Sequence, residues 1–411
     1  MLLSMATTIS QIENSHEESI EDLPDYQIPD STASRAASDW EWSTSFGSTD
    51  SDDGWGIVVD QDYTSYVTGQ FRGTVNFGSC STCTQTSQGN SDIFIAKLDP
   101  QGDFLWVNTA GGSAQDAPIG HITQLANGDL AIAGYVGGGA AQFDSIQLNP
   151  TGVRGMLIAT FDQTGNWIWA TEYSGAHSAS DVRAYDIASD DSHIYVTGDF
   201  VKSMVVNGVT HNAFTTGVSA GAKDLFVMKL DYSGSHVWSQ FSIGGKSHDG
   251  GRGIAVDSNE NVYVAGLHSE DAPFGSATLV TNPTNSNSVY NSYEALIAKL
   301  DPNGNWLWAT SHYGPNLDIA RDIVVTQDAL GVENIVATIW ATNDLSISST
   351  NNIISGPFNN LANHMVVTSK FNTDGEMMWY DVVTGYDNNP AELTTGPSGD
   401  VFVCGYGTNL G

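Results

Sequence analysis

The chain has 411 residues, with 47 Asp+Glu against 13 Lys+Arg and a formal net charge of −34. Charge of that sign repels phosphate backbones and anionic lipid, which argues against a nucleic-acid partner, and no run approaches the ~18 apolar residues of a membrane span. Forty per cent apolar and 10% aromatic residues suffice for a large core. The acidic excess reads as a solvated surface that keeps the protein soluble, and it leaves cations and neutral glycans open as partners.

The first residues, MLLSMATTIS, are weakly apolar and lack a basic region ahead of the apolar one, so they read as the remnant of a signal peptide. Residues 1–38 as a whole, with acidic residues at 18–25 and a Ser/Ala-rich stretch at 31–38, are expected to form a disordered acidic lead-in. The folded domain is expected over residues 39–411. Cys80 and Cys83 lie in CSTC with no second CxxC to complete a metal site, and a local disulfide in a secreted loop is expected. Cys404, inside VFVCG, is expected to be a small buried hydrophobe.

Two hairpin patterns alternate along the rest. One reads DIFIAKLDPQGDFLW at 92–106 and returns at 155–169, 224–238, 294–308 and 364–379, each copy closing on a tryptophan. Gly102, Gly165, Gly234, Gly304 and Gly375 fill the left-handed slot of its turn. The other begins at 56, 121, 186, 253 and 322, with a last copy at 393–407. Together they predict units of four short antiparallel strands, and no segment carries a 3.6-residue apolar period. In the fifth unit Thr338 replaces the glycine seen as Gly69, Gly134, Gly198, Gly266 and Gly405, which predicts an irregular hairpin there. His236 shares a slot with Trp40, Phe104, Trp167, Trp306 and Met377, and packing rather than catalysis is expected of it.

The tryptophans Trp106, Trp169, Trp238, Trp308 and Trp379 are 63, 69, 70 and 71 residues apart, and Trp42 lies 64 before the first. Four-stranded sheets repeated at such a period stack radially, since one alone leaves both faces wet. The expected fold is an all-β β-propeller of six recognisable four-stranded blades. The last blade is incomplete and is closed by an N-terminal strand containing Trp40 and Trp42, beside residues 393–407. Long connections between second and third strands are expected to stand on one face. These residues resemble the SBBP-type β-propeller repeat of secreted and surface bacterial and archaeal proteins, through GIAVDSNENVYVAG at 253–266 and ALIAKLDPNGNWLW at 295–308. The resemblance implies a monomeric scaffold for display or recognition and carries no common chemistry. LDPNGNWLW also looks like the tryptophan-docking repeats of pyrroloquinoline quinone dehydrogenases, but those pair adjacent cysteines, whereas two residues separate Cys80 from Cys83.

No nucleophile elbow, zinc-binding HExxH, P-loop or dinucleotide fingerprint is present. One constellation follows the repeat: Asp52, Asp116, Asp181, Asp249, Asp318 and Asp387 each precede a first strand. Each is expected to cap its own turn, while a ring of carboxylates at a channel mouth, binding calcium or a polar ligand, is the functional alternative. TDSDDG at 49–54 has the alternating acids of a calcium loop without its closing glutamate. The function expected is non-enzymatic: a secreted or cell-surface scaffold binding a protein or glycan. The alternative is an extracellular polysaccharide hydrolase or lyase.

Overall fold

The computed structural model describes residues 2–3, 42–213, 222–242, 248–269, 273–274, 277–278, 293–313, 317–341, 346–348, 353–355, 364–396 and 399–408. All regular elements among them are β-strands. Five four-stranded antiparallel units follow one another. The first is Asp53–Val59, Ser65–Phe71, Asp92–Leu98 and Phe104–Gly112. The second is Ile122–Gln124, Leu130–Gly137, Arg154–Phe161 and Trp167–Tyr173. The third is Asp181–Ser189, His193–Val201, Lys223–Asp231 and His236–Phe241. The fourth is Gly250–Val256, Val262–His268, Glu294–Leu300 and Trp306–Tyr313. The fifth is Ile319–Gln327, Glu333–Ala341, His364–Asn372 and the first half of Met377–Thr395. That last strand runs on into a sixth hairpin with Val401–Thr408.

The core lies between successive units. Ile93 and Ile95 of the first pack with Leu157 and Phe161 of the second, and Met156 of the second with Val182 and Phe226 of the third. Leu225 joins Val264 across units three and four, and Ile297 joins Ile339 across four and five. Both faces of the second and third strands of units one to four are therefore dry, which explains their continuous apolar runs. Each fully buried side chain of this kind contributes roughly 1.5–3 kcal/mol.

The turn between third and fourth strands sets the next contact. Asp99 accepts the N–H groups of Gln101 and Asp103, both at 2.9 Å, and Gly102, at φ 85°, donates to Asp99 O. The same turn recurs at Gly165, Gly234, Gly304 and Gly375, with φ of 90°, 83°, 83° and 81°. Onto it comes the tryptophan of the preceding unit. A Cβ on Gly165, Gly234 or Gly304 would stand 2.9, 3.1 and 2.9 Å from the rings of Trp106, Trp169 and Trp238. The indole N–H then donates to a turn carbonyl: Trp106 to Gln163, Trp169 to Tyr232, Trp238 to Pro302 and Trp308 to Thr373, at 3.3, 2.9, 2.9 and 3.2 Å. Trp42 lies against Gly102 in the same way. These tryptophans are half-buried rather than largely buried, and Trp379 is 37% exposed.

Other expectations are corrected. The fifth unit is regular, with the same first-strand bulge as units one, three and four. Thr338 pairs with Thr368, whereas a Cβ at Gly69 or Gly198 would meet the first-strand carbonyl of Asp53 or Arg183, at 2.1 and 1.9 Å, and then the ring of Phe94 or Phe226. Thr338 is fully buried in this slot. Cys404 is exposed, because its strand has a paired neighbour on one side only among the described residues. Thr44–Ser45 pairs with Leu2–Leu3 and not with the sixth hairpin. Trp40 and residues 4–38 of the expected lead-in lie outside the described residues.

The connections between second and third strands contain small hairpins. Thr74–Asn76 pairs with Thr84–Thr86, Ala141–Phe143 with Ile146–Leu148, Ser203–Val206 with Val209–Asn212, Pro273–Phe274 with Ala277–Thr278, and Ser346–Ser348 with Ile353–Ser355. Their aromatics cover the fourth strand of their own unit: Phe77 on Phe104, Phe143 on Trp167 and Phe274 on Trp306. In unit three His236 takes the aromatic's place and bonds to Asn207 at 3.0 Å. The packing role expected of this slot is what the geometry gives it. Trp238→Ala should cost about 3 kcal/mol by leaving a cavity over Gly304, and Trp238→Phe about 1 kcal/mol through the lost hydrogen bond. Trp379→Ala, at an exposed site, should cost less than about 1 kcal/mol. Urea unfolding of the three variants checks the order.

Candidate functional site

The first strands carry a β-bulge in every unit but the second, between Gly54 and Gly56, Ala184 and Asp186, Gly251 and Gly253, Ala320 and Asp322, and Pro390 and Glu392. A bulge redirects the following residue, and those residues converge. Asp186 accepts from its own unit's Ile187 N at 2.8 Å and from Ile254 N of the next at 2.7 Å. Asp322 repeats this with Ile323 N at 2.7 Å and Leu393 N at 2.5 Å. Gly253 is a glycine by necessity, since a Cβ would stand 2.7 Å from Asp322 Cα, and at Gly56 one would be tight, 3.1 Å from His121 Cα.

Unit two lacks the bulge and places His121 at this level with φ 63°, a left-handed conformation that costs a non-glycine residue roughly 1–2 kcal/mol. Its Nδ1 lies 3.1 Å from Asp186 Oδ1 and its Nε2 3.1 Å from Glu392 Oε1. The contacts thus run from unit two through three, four, five and six and return to two. Burial opposes charge on the imidazole, but the Asp186 hydrogen bond and the charges of Glu392, Asp186 and Asp322 outweigh it and hold His121 up to about 10. Burial, then the charge of Asp186, push Asp322 up to about 7. His121 is an imidazolium strut between acids, and the cluster of Asp186, Asp322 and Glu392 around it keeps an acidic excess.

Of the six aspartates that precede first strands, four have described partners, each in its own surroundings. Asp52 accepts from Ser48 N at 2.5 Å and Arg72 N at 2.9 Å, and Asp116 from Gly112 N and Gly137 N, both at 2.8 Å. Asp249 accepts from Ser269 N at 3.0 Å, so three of the six tie the start of a first strand to the end of the second. Asp181 instead meets Arg154 at 3.0 Å and Arg183 at 2.9 and 2.5 Å; burial would raise it, but these guanidiniums lower it. Asp318 is buried, and the side chain of Asp387 falls outside the described residues. In TDSDDG the acids face different partners, Asp52 as above and Asp53 with Gln70 Nε2 at 2.7 Å. Cys80 and Cys83 are disulfide-bonded.

Sequence reading missed His121, Asp186, Asp322 and Glu392. The signal available was positional: they open the recurring hairpin, in the slot that holds glycine at 56 and 253. It also missed Asp190, His193 and Glu260, whose ligand-type atoms lie within 4.8 Å of one another. There Asp190 is engaged by Ser192 N, His193 N and Tyr195 OH, and Glu260 by Lys229 Nζ at 2.8 Å, so a lysine already supplies the positive charge.

A pH experiment separates the axial groups. A raised histidine stabilises fully below its unfolded value of 6.5 and loses that contribution as pH rises toward about 10. The raised Asp322 loses its contribution between its ordinary value and about 7. Between pH 7.5 and 10 the wild type should therefore lose stability that His121→Asn lacks from the outset, giving the variant a flatter profile in urea unfolding.

Residues 237–267, from the fourth strand of unit three through the second of unit four, match the beta-propeller repeat model SBBP. An uncharacterized WD repeat-containing protein, L264 of Acanthamoeba polyphaga mimivirus, is 22% identical over 398 residues, covering 82% of this chain. The chain spans 28% of the length of that relative. Two crystal structures of proteins of unknown function are similar at 11% identity. One, from Bacteroides caccae, has a TM-score of 0.32 with 60% of each chain covered. The other, from Dyadobacter fermentans DSM 18053, has a TM-score of 0.38 with 69% of this chain and 73% of that one covered. Neither likeness bears on function. With that match seated on two adjoining units of one recurring frame, residues 237–267 carry a β-propeller repeat of the SBBP type.

Proposed function

We propose that the chain is a non-enzymatic, secreted or cell-surface interaction scaffold. It forms a ring of six recognisable blades, monomeric, that presents the hairpins between second and third strands to a protein or glycan. The observation that carries this reading is the set of hairpins between second and third strands. The first, second and fourth rest an aromatic on the fourth strand of a constant frame, and the outer faces vary, as binding loops on rigid scaffolds do. In a chain of net charge −34 those outer faces are mostly uncharged: Thr74, Asn76, Thr84 and Thr86 in the first, Gln147 in the second, Thr210 and Asn212 in the third are exposed. Hydroxyls and carboxamides suit glycan hydroxyls or peptide backbone, since they donate and accept without a charge to desolvate. The axial circuit and the seat of Trp42 on Gly102 support closure of the ring, and the Cys80–Cys83 disulfide supports an oxidising location. Asp186 and Asp322 are held by backbone N–H groups, which suits struts better than an acid–base pair.

Labelled protein on a glycan array tests this. Binding should fall roughly tenfold, about 1.4 kcal/mol, when Thr74, Thr84 and Thr86 or Thr210 and Asn212 become alanine, with melting temperature unchanged. Glycan cleavage, or binding indifferent to every hairpin variant, would refute the reading.

A further inference from the structure

Asp92, which opens the third strand of unit one, and Asp116, which precedes unit two, are each 1% exposed. The bond from Asp116 N to Ser91 O, 2.9 Å, sets them side by side. Asp92 Cγ and Oδ1 and Asp116 Oδ2 all lie within 2.9 Å of the point where a Cβ on Gly111 would stand, so only glycine fits beneath them. Asp116 is fixed by Gly112 N and Gly137 N, and Asp92 Oδ2 by Gln88 N at 2.8 Å. Asp92 Oδ1 is buried in the same place without a hydrogen-bond partner. Burial, reinforced by the neighbouring charge of Asp116, raises Asp92 to about 6. Two buried carboxyl groups thus stand side by side, an arrangement that interiors avoid unless a proton or a cation joins them.

The sister interface between units two and three reveals what belongs there. Gly155 holds the slot of Asp92, and the remaining acid, Asp181, is met by the guanidiniums of Arg154 and Arg183. Where one acid is missing, the protein supplies its own positive charge. The same backbone bond recurs from Asp249 N to Lys223 O and from Asp318 N to Tyr293 O, placing Asp249 beside Asp224 and Asp318 beside Glu294. We propose that Asp92 and Asp116 bind a calcium ion that joins units one and two. The donors are hard carboxylate oxygens with no imidazole or thiol, and calcium accepts an irregular oxygen shell built around two fixed carboxylates, whereas magnesium demands near-octahedral geometry.

The test is calorimetric melting of the full chain at pH 7.5, in excess chelator and in saturating calcium, with calcium titration for stoichiometry. Calcium should raise the melting temperature by several degrees and magnesium much less, and the calcium effect should fade at pH 5, where the proton competes. Asp92→Asn should bind one calcium fewer and lose that part of the rise. If it fails to fold, Asp116→Asn serves the same comparison, and the pH dependence of wild-type binding stands as an independent readout. Equal melting in calcium and chelator, or stoichiometry unchanged in the variants, would overturn the site. A rise in stability on acidification through pH 6 without any response to calcium would mean that the pair holds a proton only.

Discussion

An indole laid over a left-handed glycine in the next unit is the contact on which the rest of the fold depends. The turn exists because an Asp or Asn accepts two N–H groups ahead of it and glycine tolerates the φ required. With no Cβ in the way, the ring reaches the turn, and its N–H finds a carbonyl there. On its other side the tryptophan is packed within its own unit: Trp106 against Tyr66, Trp238 against Tyr195 and Trp308 against Tyr263, with Lys97, Lys229 and Lys299 over those tyrosines at 5.0, 5.1 and 5.1 Å. One residue therefore links the interior of one unit to the turn of its successor. Stability built this way is a sum of unit and nearest-neighbour terms, and unit one receives its neighbour term from Trp42.

The features that repeat in kind were legible in the sequence: two hairpins per unit, the glycine slot, the tryptophan position and the long second-to-third connections. Their environment was less so. A recurring tryptophan signals a shared role without saying how much of the ring stays wet, and a docking residue at a sheet edge remains half open. The axial site was illegible for the opposite reason. Its residues share a position but not a type, running Gly56, His121, Asp186, Gly253, Asp322 and Glu392, and a search for repeated chemistry passes over such a column. Thr338 misled because the space for a side chain at that point is decided by the neighbouring strands and not by the residue's own type: units one, three and four bring a first-strand carbonyl within 2.2 Å of where a Cβ would stand. Cys404 misled because an apolar run says nothing of how many neighbours its strand has.

The acidic surplus looks different once the acids have addresses. Asp60, Asp99, Asp162, Asp231, Asp257, Asp301 and Asp328 each bind N–H groups of their own turns, and Asp52, Asp116, Asp186 and Asp322 fasten strands through backbone donors. Main-chain N–H groups thus do much of the neutralising that bases perform elsewhere, so a fold with 13 Lys+Arg can hold 47 acids.

Bases appear where that device runs short. Arg154 and Arg183 meet Asp181, and Lys223 and Arg252 meet the buried Asp199 at 3.0 and 3.2 Å. Four of the 13 bases are thereby spent on the stretch from unit two to unit four, and Arg252 also lies 4.1 Å from the ring of Tyr185. Unit two meets its other neighbour across Asp92 and Asp116, with neither arginine nor lysine in the positions of Arg154 and Arg183. The two interfaces share one backbone frame and differ in the source of positive charge. One is set by the sequence and independent of solution, while the other responds to whatever cation or proton the medium provides. Repetition fixes the frame, and substitution within it decides which interfaces answer to the environment.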